Sequence, residues 1–168
     1  IYGFITLYSD ICDLSNAYNI AFIRRFQNLE LLGSDMLQMF WNEWTHFDRN
    51  FVSWNLVPRL NALVRTEHFD ILHRIFYEFD GIADTYACYD EIESIYQDCR
   101  VYIRELVPRC KVTQYKNFAI AMLPEDVERK AHNFTGQVAN TIASELNQTV
   151  ICLYSGSPSE YNGSVRDP

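Results

Sequence analysis

VTQYKNFAIAML, residues 112–123, is the stretch on which the fold turns, because it reads either as a short helix or as a strand. Periodicity alone does not separate the two for a short apolar run. Its flanks favour helices. Upstream, in CYDEIESIYQDCRVYIRELVPRC (88–110), Cys88, Ile92, Ile95, Cys99, Tyr102 and Leu106 step by four and three alternately, the seam of an amphipathic helix. Pro108 ends that helix at about Val107. Downstream, Pro124-Glu125-Asp126 opens a helix with Val127, Ala131, Phe134, Val138, Ile142 and Leu146 on one face.

Farther from this stretch the pattern stays helical. Leu7, Ile11, Leu14, Tyr18, Phe22, Phe26, Leu29 and Leu32 form one stripe, closed by Gly33. Ser34-Asp35 then starts a helix with an aromatic face of Phe40, Trp41, Trp44, Phe47 and Phe51. A third follows Pro58 and ends before Asp80-Gly81. IYGFITLY at the start alternates as an extended segment does, and TVICLY (149–154) is a brief β-like run. The resulting expectation is an all-α fold: a disulfide-stapled bundle of about five helices, with the extended segment near the C-terminus available to pair with the extended N-terminus. Residues 1–154 form a single helical domain on this reading, and 155–168 (SGSPSEYNGSVRDP) a flexible tail or tether.

Composition narrows the class. The chain has 168 residues, 48% hydrophobic and 15% aromatic, enough for one well-filled domain. Its net charge of −8 argues against nucleic acid as a partner, since phosphate-binding surfaces read basic. No apolar run approaches the roughly 18 residues of a membrane helix, so membrane attachment is expected only through segments outside this chain.

Five cysteines, Cys12, Cys88, Cys99, Cys110 and Cys152, are the disulfide candidates. Eleven helical residues rise about 16 Å, whereas a disulfide holds its Cα atoms within about 7 Å. Cys88 and Cys99 therefore share a face without bonding each other. The expectation is a bridge from this helix to Cys12 or Cys152, with the odd thiol left over or joined to a second chain. Three N-x-[S/T] sequons, at Asn133, Asn147 and Asn162, point to the secretory pathway and an extracellular or cell-surface setting. In a helix over 125–146, Asn133, Asn140 and Asn147 fall at heptad spacing on one polar face.

No residue pattern points to catalysis. The histidines at 46, 68, 73 and 132 lack zinc spacing, no C-x-x-C or H-E-x-x-H occurs, and no cofactor motif stands out. The acids around residues 80–93 suit a helix N-terminus. The expected role is a non-enzymatic protein-recognition module without metal or cofactor, whose partner surface is Phe40, Trp41, Trp44 and Phe47. Two alternatives are an extracellular carrier of a small apolar ligand, with those rings lining a cavity, and an intracellular adaptor with reduced cysteines.

Overall fold

The structure, a computed structural model, describes residue 17 and residues 52–77, 82–157 and 159–168. The chain divides into two units, residues 1–96 and 97–168. In chain order the described helices and strands are α1 (Val57–Arg65), α2 (Phe69–Tyr77), α3 (Ile82–Leu106), β1 (Lys111–Gln114), β2 (Phe118–Met122), α4 (Thr135–Leu146), β3 (Thr149–Ser157) and β4 (Glu160–Arg166). A π-helical turn occupies Val52–Leu56, and 3-10 turns occupy Val107–Arg109 and Arg129–Phe134.

In the first unit, residues 58–79 do not run as the single helix that the pattern predicts. The break falls at Thr66-Glu67-His68. The Thr66 hydroxyl donates to the Ala62 carbonyl at 2.8 Å and lies 2.7 Å from His68 Nδ1. Glu67 takes a left-handed φ of 64°, and the His68 amide returns to the Leu63 carbonyl. A threonine that bonds the preceding turn and a residue in the left-handed region together close a helix. Arg59 then links α1 to α3. Its Nε donates to Glu93 at 2.6 Å, Nη1 donates to the Asn55 carbonyl at 2.9 Å, and the guanidinium lies 4.7 Å from the Tyr96 ring centre.

The second unit corrects the expected all-α bundle: it contains a four-stranded mixed sheet in the order β1-β2-β3-β4. The ambiguous stretch 112–123 is a hairpin, β1 antiparallel to β2, closed by the Tyr115 amide donating to the Phe118 carbonyl. β2 then pairs parallel with β3 across the crossover helix α4, and β3 pairs antiparallel with β4. FAIAM looks helical because it is apolar on both sides, yet its burial alternates: Ala119 and Ala121 are fully buried while Phe118, Ile120 and Met122 are half-buried. A strand in the middle of a sheet reads as an unbroken apolar run, which is the sequence signature that overlaps with a short helix.

Small residues let the crossover helix lie close. Ala119 and Ala121 on β2 share the core with Ala139 and Ala143 on α4, beside Val138, Ile142, Val150, Cys152 and Leu106. Substituting a larger side chain at any of these alanines would overpack the layer, typically by about 1–3 kcal/mol. α4 packs chiefly on β3 and β4. Register fixes which β4 side chains face it. Val150, Cys152 and Tyr154 belong to the helix-facing side of β3, and their partners on β4 are Arg166, Ser164 and Asn162.

Three further expectations change. Residues 160–166, expected as tether, form β4. The helix expected over 125–146 starts at Thr135, so Asn133 sits in a 3-10 turn and Asn147 is a left-handed C-cap (φ 52°), not a member of one heptad face. The described cysteines, Cys88, Cys99, Cys110 and Cys152, carry no disulfide. Cys88, Cys99 and Cys152 are core residues in their own units, at 0%, 5% and 0% exposure, where a thiol acts as a small apolar side chain. Cys12 and the aromatic group Phe40, Trp41, Trp44 and Phe47 lie outside the described residues.

Candidate functional site

The N-terminus of α4 is electrostatically unusual. It has no side-chain cap and no acidic residue in its first turn. A helix N-terminus carries roughly half a positive charge and is normally matched by Ser, Asp or Glu. Here the residue brought to it is a cation. Arg166 reaches from β4 so that its Nη2 lies 2.9 Å from where a Cβ on Gly136 would stand, so a larger residue there would push the guanidinium aside. Nη1 donates to the Val165 carbonyl at 2.7 Å, and no carboxylate among the described residues pairs with this guanidinium. Asp167, its neighbour in sequence, accepts from the Thr149 hydroxyl at 2.6 Å instead.

Hydroxyl groups complete the cluster. Thr135 Oγ1 lies 3.0 Å from Ser164 Oγ, and Thr135 also donates to the His132 carbonyl at 3.4 Å. The Gln137 carboxamide oxygen, one turn position farther along α4, is buried and finds no hydrogen-bond partner among the described residues. A guanidinium, a positive helix end and two hydroxyls converge with no anion of the protein between them. That is the composition of an oxyanion site.

Beside it, at the carboxyl ends of the parallel strands β2 and β3, opens a cleft of about 670 Å³. Arg109, Lys111, Glu125, His132, Tyr154 and Tyr161 are among its lining residues, with the backbone of Ser155–Ser157 along one side. The His132 ring stacks on Tyr154 with centroids 3.8 Å apart and planes 9° from parallel. Arg109 is held by Asp126 through two 2.8 Å contacts from Nη2.

Among the sequence candidates, Asn133, Asn147 and Asn162 are all exposed. The described residues contain no group of three His, Cys, Asp or Glu side chains able to hold a metal. His68 serves the α1–α2 break, and His132 lines the cleft. Sequence reasoning missed Gly136, Ser164 and Arg166, which only the sheet brings together. A signal existed in YNGSVR: Asn162, Ser164 and Arg166 alternate with Tyr161, Gly163 and Val165, the period of a strand.

Cys152 is poorly suited to act as a nucleophile. Burial, and next the neighbouring Cys110, push the Cys152 thiol from 9.0 up to about 12. At neutral pH such a thiol holds about a thousandfold less thiolate than one at 9.0. The sign of the linked stability effect follows. Below pH 9 both folded and unfolded states carry the neutral thiol. Above it the unfolded thiol ionises while the folded one resists until about 12, so its contribution to stability is lost as pH rises from 9 to 12. Cys152→Ala is therefore expected to flatten the fall of melting temperature between pH 9 and 11 relative to wild type. Parallel slopes would show that Cys152 does not titrate in this way.

With this geometry in place, the chain can be set against known proteins. The second unit is an α/β domain with a mixed sheet. No family model and no curated protein matches the chain. Among solved structures it is similar to RecJ from Thermus thermophilus, determined in complex with Mn2+, with 18% sequence identity and a TM-score of 0.58. The likeness covers 80% of this chain and 20% of the RecJ chain, so the chain spans about a fifth of that protein's length. At this identity the likeness is one of fold.

Proposed function

We propose that residues 97–168 form a phosphate-ester recognition unit, with the phosphate held by Arg166 beside the N-terminus of α4. The observation that carries this reading is the cation itself. Arg166 is placed against the positive end of a helix that has no acidic residue in its first turn, a pairing of like charges that an anion bound beside the two would relieve. A tetrahedral oxyanion suits it: the planar guanidinium grips two oxygens, and the Ser164 hydroxyl can turn from Thr135 to a third. The overall charge of −8 does not oppose this, because it weighs against an extended polyanion-binding surface and not against a single phosphate in a local site.

RecJ, which this chain resembles in fold, was solved in complex with Mn2+, and phosphate esters are common substrates of metal-assisted chemistry, so the reading extends to a process of that kind. This departs from the expectation of a non-enzyme. Calorimetric titration of the 168-residue chain with inorganic phosphate, for wild type and Arg166→Gln, tests the seat directly. Binding of equal strength in both proteins would defeat the reading.

The exposure of Asn133, Asn147 and Asn162 favours a second reading, a glycosylated recognition domain of the secretory pathway. Protein secreted from a eukaryotic host should then lose mass on N-glycosidase treatment, by one glycan for each of the three sites. An unchanged mass would remove that reading. The described cysteines, which carry no disulfide, withdraw the disulfide argument for it.

A further inference from the structure

The cleft beside the phosphate seat calls for a ligand of different chemistry. We infer that it receives a planar nitrogen heterocycle, which makes the phosphate ester a nucleotide. This rests on the phosphate reading for its second anchor but on separate residues for its own.

The position is the first argument. The cleft lies at the carboxyl ends of the parallel strands β2 and β3, where Met122 and Tyr154 contribute to its lining. In α/β sheets the chain must turn away there, leaving a crevice whose walls come from loops. Chemistry is the second. His132 and Tyr154 present flat rings already aligned within 9°, so a third ring added to the stack meets an ordered surface and loses little side-chain freedom. Tyr161 supplies another ring, and Lys111 and Glu125 supply a donor and an acceptor for ring edges.

Reach is the third argument. Along β3, Tyr154 follows Cys152 on the same face, and Cys152 is the register partner of Ser164. Two strand residues span about 6.6 Å. The His132 carbonyl is bonded by the same Thr135 hydroxyl that meets Ser164. The stack and the phosphate seat are thus linked through Thr135, with Ser164 one strand repeat from Tyr154.

The test compares three probes on the full chain by calorimetry: adenosine 5′-monophosphate, adenosine and inorganic phosphate. Adenosine 5′-monophosphate should bind about tenfold or more tightly than phosphate. His132→Ala should reduce that advantage by about tenfold while leaving phosphate binding unchanged, with Tyr154→Leu as an independent variant if the first folds poorly. Equal binding of adenosine 5′-monophosphate and phosphate in the wild type would overturn the inference and leave the phosphate reading intact. So would a His132→Ala loss shared equally by both ligands. Adenosine binding that depends on His132, with no phosphate binding that depends on Arg166, would support the inference and overturn the phosphate reading.

Discussion

Gly163→Ala is expected to destabilise the second unit by about 3 kcal/mol and to release β4 from the sheet. A Cβ at this position would overlap the carbonyl of Cys152 and come within 3.0 Å of the Leu153 Cα. Both obstacles are backbone of the neighbouring strand. A flexible side chain could rotate away, but a paired strand yields only by breaking its ladder. Gly156 provides the control. Its nearest neighbour is the Asn162 side-chain nitrogen at 3.1 Å, the end of a movable group, so Gly156→Ala should shift stability by less than about 1 kcal/mol. Chemical denaturation reads the energies, and amide exchange of residues 160–166 reads the strand. Phosphate binding should fall with Gly163→Ala too, because Ser164 and Arg166 are placed by the same pairing. Equal stability of the two variants would show that β4 is not seated as described.

Arg166→Gln is the second large effect, and it separates binding from stability. Hydrogen bonds from a charged donor contribute about 1.5–3 kcal/mol net, so phosphate binding should weaken about 10- to 100-fold. The side chain is exposed and pairs with no carboxylate among the described residues, so folding should not suffer. Removing a cation from the positive end of α4 should raise stability in phosphate-free buffer by a few tenths of a kcal/mol, up to ~1. Arg166→Lys keeps the charge but loses the planar fork, and should fall between wild type and Arg166→Gln. Phosphate should raise the melting temperature of wild type and not of Arg166→Gln. A melting temperature that responds to phosphate identically in the two proteins would sink the assignment.

Much of the helical content was legible because its signals are local. The step-four, step-three seam of 88–106 predicts α3, and Pro108 marks its end. The buried residues Val138 and Ile142 of α4 were read from their spacing. The sheet was not legible, for a physical reason that recurs in each strand. β2 is apolar on both faces, so its period of two is hidden in composition and shows only as alternating degrees of burial. β4 is the opposite case: its residues are almost all exposed and polar or small, so it looks like tether until a partner strand supplies its hydrogen bonds. The break at Thr66-Glu67-His68 depends on a side-chain bond and one left-handed residue, neither of which interrupts the apolar pattern.

The cysteines show how a local rule can hold while its consequence fails. The spacing that keeps Cys88 from bonding Cys99 is correct for a continuous helix, and α3 is one. The bridges inferred from it are absent among the described residues, because burial alone accounts for thiols at those positions. Sequons and seam cysteines are features of short segments, and they do not report what those segments pack against.

By itself the sequence determined what neighbours along the chain decide: the seam and the end of α3, and the apolar face of α4. Tertiary structure alone decided the strand pairing, and with it the meeting of Arg166 with Gly136 and of His132 with Tyr154. Arg166 lies thirty residues beyond Gly136, and no spacing rule links them. The contact exists because β3 pairs parallel with β2 through α4 and β4 folds back along β3, so long-range hydrogen bonds, not local periodicity, place the cation over the helix end.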